Sequence, residues 1–184
     1  IEATSSSPFT GNLVYKYFDI QKVFNTSKNK YENKIRGIDC PVWVLLELLT
    51  FGDFICFYEY YYATKGQLPI STSLINLVKS LRNGCAHNNC IIADLNPGAS
   101  KTPPEISGSI TGMSDITKSQ RKKKLSCRVI LEFVCMLHIY DQVVSVNVKN
   151  KRVTELKDLF TERVIEKGIY FEKNQLITSS YDFV

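Results

Sequence analysis

Glycine (9 residues) and proline (6) are sparse in this chain, which excludes collagen-like and low-complexity architectures. A long apolar run without charge is also lacking. The most apolar stretch, Pro41 to Tyr62, carries Glu47, Asp53 and Glu59, and each ionised acid at a bilayer centre costs roughly 2.5–3.5 kcal/mol on insertion scales. A core helix is therefore expected there, not a membrane span, and no membrane partner. Ile1 to Thr10 has neither a basic start nor an apolar centre, so a secretory signal is not read in it. Histidine is scarce, occurring only as His87 and His138.

What is present suits a globular protein. Hydrophobic residues make up 44% of the 184 and charged residues 22%, enough apolar side chain to bury a core, which excludes disorder of the whole chain. The length favours one domain spanning residues 1–184. Lys and Arg (23) outnumber Asp and Glu (18), giving +5, a bias that permits a polyanionic partner without demanding one. Several of the six cysteines sit in apolar runs, such as Phe54-Ile55-Cys56-Phe57 and Val134-Cys135-Met136. In such company cysteine acts as a small hydrophobe, so reduced thiols and a cytoplasmic location are expected.

Periodicity divides the chain. Residues 1–10 are Ser/Thr-rich and expected to be loose. Leu13, Val14, Tyr17, Phe18, Ile20, Val23 and Phe24 recur at roughly helical spacing, and Asn25 to Ile35 reads as a solvated connection. Pro41 opens a helix predicted to run to about Ala63. Ser71 to Ser73 offers N-caps for a helix through Leu74, Ile75, Leu77, Val78 and Leu81. Residues 93–117, with Asn96-Pro97-Gly98 and Pro103-Pro104, read as a loop. Helices are predicted from Ser126 to about Val146 and from Arg152 to Lys167. The sum is an all-α bundle of four or five helices.

His138 lies within an apolar helix and reads as a core or groove-edge histidine. His87 sits in Leu81-Arg82-Asn83-Gly84-Cys85-Ala86-His87-Asn88-Asn89, where apolar periodicity gives way to polar groups. Residues five apart on a regular helix are rotated by about 140°, so Arg82 and His87 share no face, whereas Asn83 and His87, four apart, do. For Arg82 to meet His87 within one chain the backbone must leave the helix, and Gly84 is the residue best able to permit that. Arginine offers a planar fork to phosphate oxygens and histidine moves a proton near neutral pH, which suits phosphoryl transfer. A plain helix C-terminus stabilised by Arg82 and His87 explains the same residues. Spacing alone leaves both readings open.

The segment Arg82-Asn83-Gly84-Cys85-Ala86-His87-Asn88 resembles the Arg-Asn-x-x-x-His motif of HEPN-domain ribonucleases, and more narrowly the Arg-Asn-x-Cys-Ala-His block of bacterial abortive-infection (Abi-like) proteins. Upstream, Pro41-Val42-Trp43, Glu47 and Phe51-Gly52 resemble the Pro-x-Trp…Glu…Phe-Gly helix of the same family. The resemblance implies a HEPN-like all-α fold, a homodimer, a role in phage defence and metal-independent endoribonuclease activity without a cofactor. Arg82 and His87 would be catalytic, with Asn83 as their polar companion and Asn88 in support. The motif persisting in a non-catalytic RNA-binding or protein-interaction module is the alternative. A toxin-like chain restrained by an inhibitory, antitoxin-like partner is a third.

Three further groups carry expectations. Glu47 is placed on one face with Trp43, Thr50, Phe51 and Phe54, so a buried carboxylate paired with Arg82 is expected, against a glutamate that simply reaches solvent. Lys118, Arg121, Lys122, Lys123, Lys124 and Arg128 form a basic cluster. Arg121, Lys122, Lys123 and Lys124 are its RNA-binding candidates, and a solvated face is the plain alternative. Tyr58, Tyr60, Tyr61 and Tyr62 read as packing residues before base-stacking ones. Cys85, His87 and Cys90 match no common zinc spacing, and no metal ligand is assigned.

Overall fold

The computed structural model describes residues 10–98, 100–112 and 116–183; the loose segment expected at residues 1–10 lies, but for Thr10, outside the described residues. The protein is mostly helical, as the periodicity implied, and its sheet among the described residues is a two-stranded hairpin. Two compact units divide it, Ile1–Gln67 and Leu68–Val184.

In the first unit, helix α1 (Gly11–Tyr17) runs into β1 (Phe18–Asn25), which pairs antiparallel with β2 (Lys30–Ile38) from Phe18↔Ile38 to Asn25↔Lys30. Here the expectation of one helix and a solvated connection is corrected. Phe18 and Ile20 alternate with polar residues on a strand, and the Asn-rich stretch is the turn that reverses it. The Asn25 side-chain oxygen accepts from the backbone N–H groups of Ser27 and Lys28 (3.1 and 3.2 Å), and Asn29 takes φ +48°, which asparagine tolerates. Phe24 and Tyr31, directly opposite, meet edge to face at 5.1 Å.

The helix expected from Pro41 to Ala63 is two helices, α2 (Val42–Leu48) and α3 (Phe51–Ala63). Leu49 is extended, and Thr50 restarts the helix through a reciprocal capping box with Asp53, which satisfies backbone N–H groups that a helix start leaves unpaired. On α3, Tyr58 and Tyr62 pack ring to ring at 4.9 Å, while Tyr60 is exposed.

In the second unit, α4 (Thr72–Ala86) packs along α7 (Arg128–Val143). The predicted loop at 93–117 contains α5 (Pro104–Thr111), with proline in its first turn. The basic run forms its own helix, α6 (Lys118–Leu125), started by a capping box between Thr117 and Gln120. Next, α8 (Val146–Asp158) continues through a π turn at Leu159–Arg163 into α9 (Val164–Glu166), so it begins earlier than Arg152; α10 (Gln175–Tyr181) follows. The core joins Leu74 of α4, Ile106 and Ile110 of α5, Leu125 of α6, and Leu131 and Cys135 of α7. Fully burying a leucine such as Leu131 is worth about 1.5–3 kcal/mol, and this cluster holds the long helices that position the motif.

Candidate functional site

Helix α4 stays regular through Gly84 and ends at His87. The residue that leaves the helix is Asn88, with φ +52°. The N–H of Asn89 donates to the Gly84 carbonyl at 3.0 Å and that of Asn88 to the Cys85 carbonyl at 3.1 Å, the two bonds of a Schellman cap. The helix therefore does not break at Gly84, the departure that a meeting of Arg82 and His87 within one chain would have needed. Asparagine supplies the left-handed conformation, while a β-carbon at Gly84 would stand 3.7 Å from Ile91 Cγ1, an ordinary contact.

A cleft of about 560 Å³ opens at this helix end. Asn83, Gly84 and His87 of α4 form one wall, and Arg128, Val129 and Glu132 of α7 form another. His87 is exposed. The motif residues therefore separate: Asn83 and His87 reach the cleft, whereas Arg82 is not among its lining residues, as the 100° step of a regular helix requires. Arg82 donates from Nη1 to the Asn83 side-chain oxygen at 3.1 Å. Asn88 provides the left-handed turn that ends the helix.

The buried carboxylate foreseen at Glu47 is found elsewhere. Glu47 is exposed, because α2 stops at Leu48 and the face it was to share with Thr50, Phe51 and Phe54 does not exist. Glu132, only 4% exposed, is the buried acid. Its Oε1 accepts from Arg128 Nε at 2.7 Å, and Arg128 Nη2 donates to Ser80 Oγ across on α4. Sequence reading missed Glu132, although Arg128 and Glu132 stand four apart on an apolar helix, the spacing at which a cation and an acid meet.

The basic helix divides its cations. Arg121 Nη1 donates to the Ile110 carbonyl at 3.0 Å and so caps the end of α5. Lys124 Nζ donates to Ser179 Oγ (2.7 Å) and Ser180 Oγ (3.3 Å), and burial there draws its pKa below the ordinary value. Lys118, Lys122 and Lys123 are exposed. Of the four RNA-binding candidates, two are thus tied into the fold and two face solvent. His138 Nε2 lies 2.8 Å from the Gln142 amide nitrogen, a partly buried histidine with a partner on its own helix.

All six cysteines are free thiols. Cys85 and Cys90 are exposed beside His87, whereas burial pushes the Cys135 thiol up to about 12. Among the described residues no group of three or more His, Cys, Asp or Glu side chains is arranged to hold a metal ion, and no helix is long and apolar enough to cross a membrane.

Residues 9–93 match the family model of Abi-like proteins. That segment contains the hairpin, α2, α3 and all of α4 with Arg82, Asn83 and His87, so the match supports the abortive-infection resemblance carried by Pro41–Gly52 and Arg82–Asn88. Curated proteins and solved structures give no match to the chain.

Proposed function

We propose that the protein is an endoribonuclease of the abortive-infection kind, which degrades RNA in defence against phage. The observation that carries this reading is the exposed imidazole of His87 on the wall of a cleft that also presents Asn83 and Arg128. The ribose 2′-oxygen attacks the adjacent phosphorus and the bond from phosphorus to the 5′ oxygen breaks. A base takes the 2′-hydroxyl proton and an acid delivers one to the departing 5′ oxygen. Donors around the phosphate stabilise the charge that builds on it. The products carry a 2′,3′-cyclic phosphate and a 5′-hydroxyl, and no step calls for a metal.

One chain brings one His87 to the cleft. A two-fold homodimer that faces two such helix ends towards each other supplies both an acid and a base. It also gives Arg82 a role. Because α4 runs straight through Gly84, Arg82 and His87 start from different faces of the helix, and Arg82 would serve a phosphate held with the second copy. An inhibitory partner that covers this face would keep the enzyme silent.

The test incubates end-labelled RNA with the purified protein in EDTA, beside His87→Ala. The expected result is cleavage to cyclic-phosphate ends that falls about 10²–10⁴-fold in the variant, the usual weight of a general acid or base. Equal cleavage by both proteins rejects the chemistry. Binding without cleavage favours the non-catalytic RNA-binding module, the second reading, which the placement of Arg82 off the cleft also fits.

A further inference from the structure

The cleft holds a cation that no part of the Arg-x-x-x-x-His motif supplies. Arg128 lies in α7, outside the segment that matches the Abi-like family model. Two anchors fix its guanidinium: Nε on the buried Glu132 carboxylate, and Nη2 on Ser80 of the motif-bearing helix. Its side chain is nevertheless 63% exposed, and among the described residues Nη1 donates to no protein group. A surface arginine normally loses side-chain entropy when it binds, and here that loss is already met by the fold.

From this geometry we infer that Arg128 is the phosphate-binding residue of the His87 cleft, with Glu132 and Ser80 as its positioning residues, and that the ligand it grips is one phosphodiester of single-stranded RNA. The inference rests on the RNA reading above for its substrate class. Two carboxylates also line the cleft. Glu132 is spent on Arg128, and Asp94 accepts from the Asn96 backbone (3.1 Å) and side-chain amide (2.8 Å). Their charge opposes a broad attraction for polyanions. What remains is a directional contact, in which the free Nη1 of a fixed guanidinium donates to a phosphate oxygen. Asn83 and His87 share that cleft, so a phosphate held by Arg128 is presented to the imidazole of the same chain.

The experiment measures binding of a short single-stranded RNA carrying 2′-O-methyl groups, which the proposed reaction cannot cut, over a range of salt concentrations. Arg128→Gln/Glu132→Gln removes both charges and leaves two amides able to hydrogen-bond, so no buried acid is left unpaired; thermal melting confirms the fold. The salt dependence is expected to fall by about 0.7 in slope, the share of one phosphate on a single strand, with affinity down about tenfold. Glu132→Gln alone keeps the cation, so its slope is expected to hold while affinity drops. An unchanged affinity and slope in the double variant overturns the inference, as does a wild-type chain that binds no RNA. Cleavage of unmodified RNA, measured in parallel, judges the nuclease reading separately: Arg128-dependent binding without cleavage retains this inference and rejects that one.

Discussion

The end of α4 and the first turns of α7 face one cleft, yet they are built by opposite means. At the end of α4, Arg82, Cys85, His87 and Asn88 are exposed, and two backbone hydrogen bonds around Asn88 hold the chain. In α7, Ile130, Leu131, Glu132 and Cys135 are buried, and packing holds the helix. The first region keeps reactive groups accessible at little structural cost. The second places one acid where only a fixed partner can compensate it. A site assembled from both has its chemistry on the soft side and its positioning on the hard side.

Thiol chemistry gives the largest contrast between the two regions. Burial, first, and then the charges of Glu105 and Glu132 raise Cys135 from the ordinary value of 9.0 to about 12, so its thiolate is roughly a thousandfold scarcer than that of an ordinary cysteine. Cys85 and Cys90 are expected to label readily with a maleimide at neutral pH, and Cys135 only on unfolding, as peptide mapping by mass spectrometry would show. Fast labelling of Cys135 in the native protein would erase the distinction. The same shift fixes a pH dependence. Below pH 9 the thiol is protonated in both states and its contribution to stability is fully present. From 9 towards 12 the unfolded chain ionises first, so stability falls, and a Cys135→Ala variant is expected to lose that part of the alkaline decline.

Next in size is the contrast between two arginines. Arg128→Ala strands the Glu132 carboxylate. Breaking a fully buried pair costs about 3–5 kcal/mol; with Arg128 itself mostly in solvent, about 2–3 kcal/mol is expected from urea unfolding. Arg82→Ala, which removes one exposed hydrogen bond to Asn83, is expected within about 0.5 kcal/mol of the parent. Similar values for both would mean that α7 does not hold its acid as tightly as the geometry implies.

The sequence showed the soft side better than the hard one. Its helical periods located α4 and α7, and the Arg-Asn-x-x-x-His spacing marked His87, because local patterns report local structure. Burial of a particular acid is a tertiary fact. Glu47 looked buried only if α2 and α3 were one helix, and the Thr50–Asp53 capping box that separates them is a short signal inside a strongly apolar run. Glu132 sits in an equally apolar run, but its burial depends on the packing of α7 against other elements of its unit. The hairpin was hidden for a related reason: Phe18, Ile20, Val23 and Phe24 fit a helical stripe nearly as well as a strand, and the Asn25 turn decides between them.

Asn88 tests the backbone that ends α4. A left-handed residue with a β-carbon and no side-chain compensation costs about 1–2 kcal/mol, of which asparagine avoids part. Asn88→Ala is expected to lower stability by about 1 kcal/mol, and Asn88→Gly to leave it unchanged or raise it slightly. The order glycine, asparagine, alanine in unfolding midpoints would confirm that this residue acts through φ. Loss of cleavage in Asn88→Gly with full stability would instead assign its amide a direct role.

The smallest expected effect concerns Gly84, and it runs in the opposite direction. Gly84 lies inside a regular helix, and a β-carbon there would stand 3.7 Å from Ile91 Cγ1, an ordinary contact. Gly84→Ala should therefore gain about 0.5–1 kcal/mol by restricting the unfolded chain and favouring the helix. A loss would mean that Ile91 needs a closer approach than this spacing allows. Because Gly84 also lines the cleft, activity separates two roles for it. A more stable variant with intact cleavage makes position 84 a matter of packing alone. A more stable variant that no longer cuts RNA shows that the wall beside His87 has no room for one extra methyl group when the substrate is bound, and that would place the reacting phosphate against the exposed end of α4 itself.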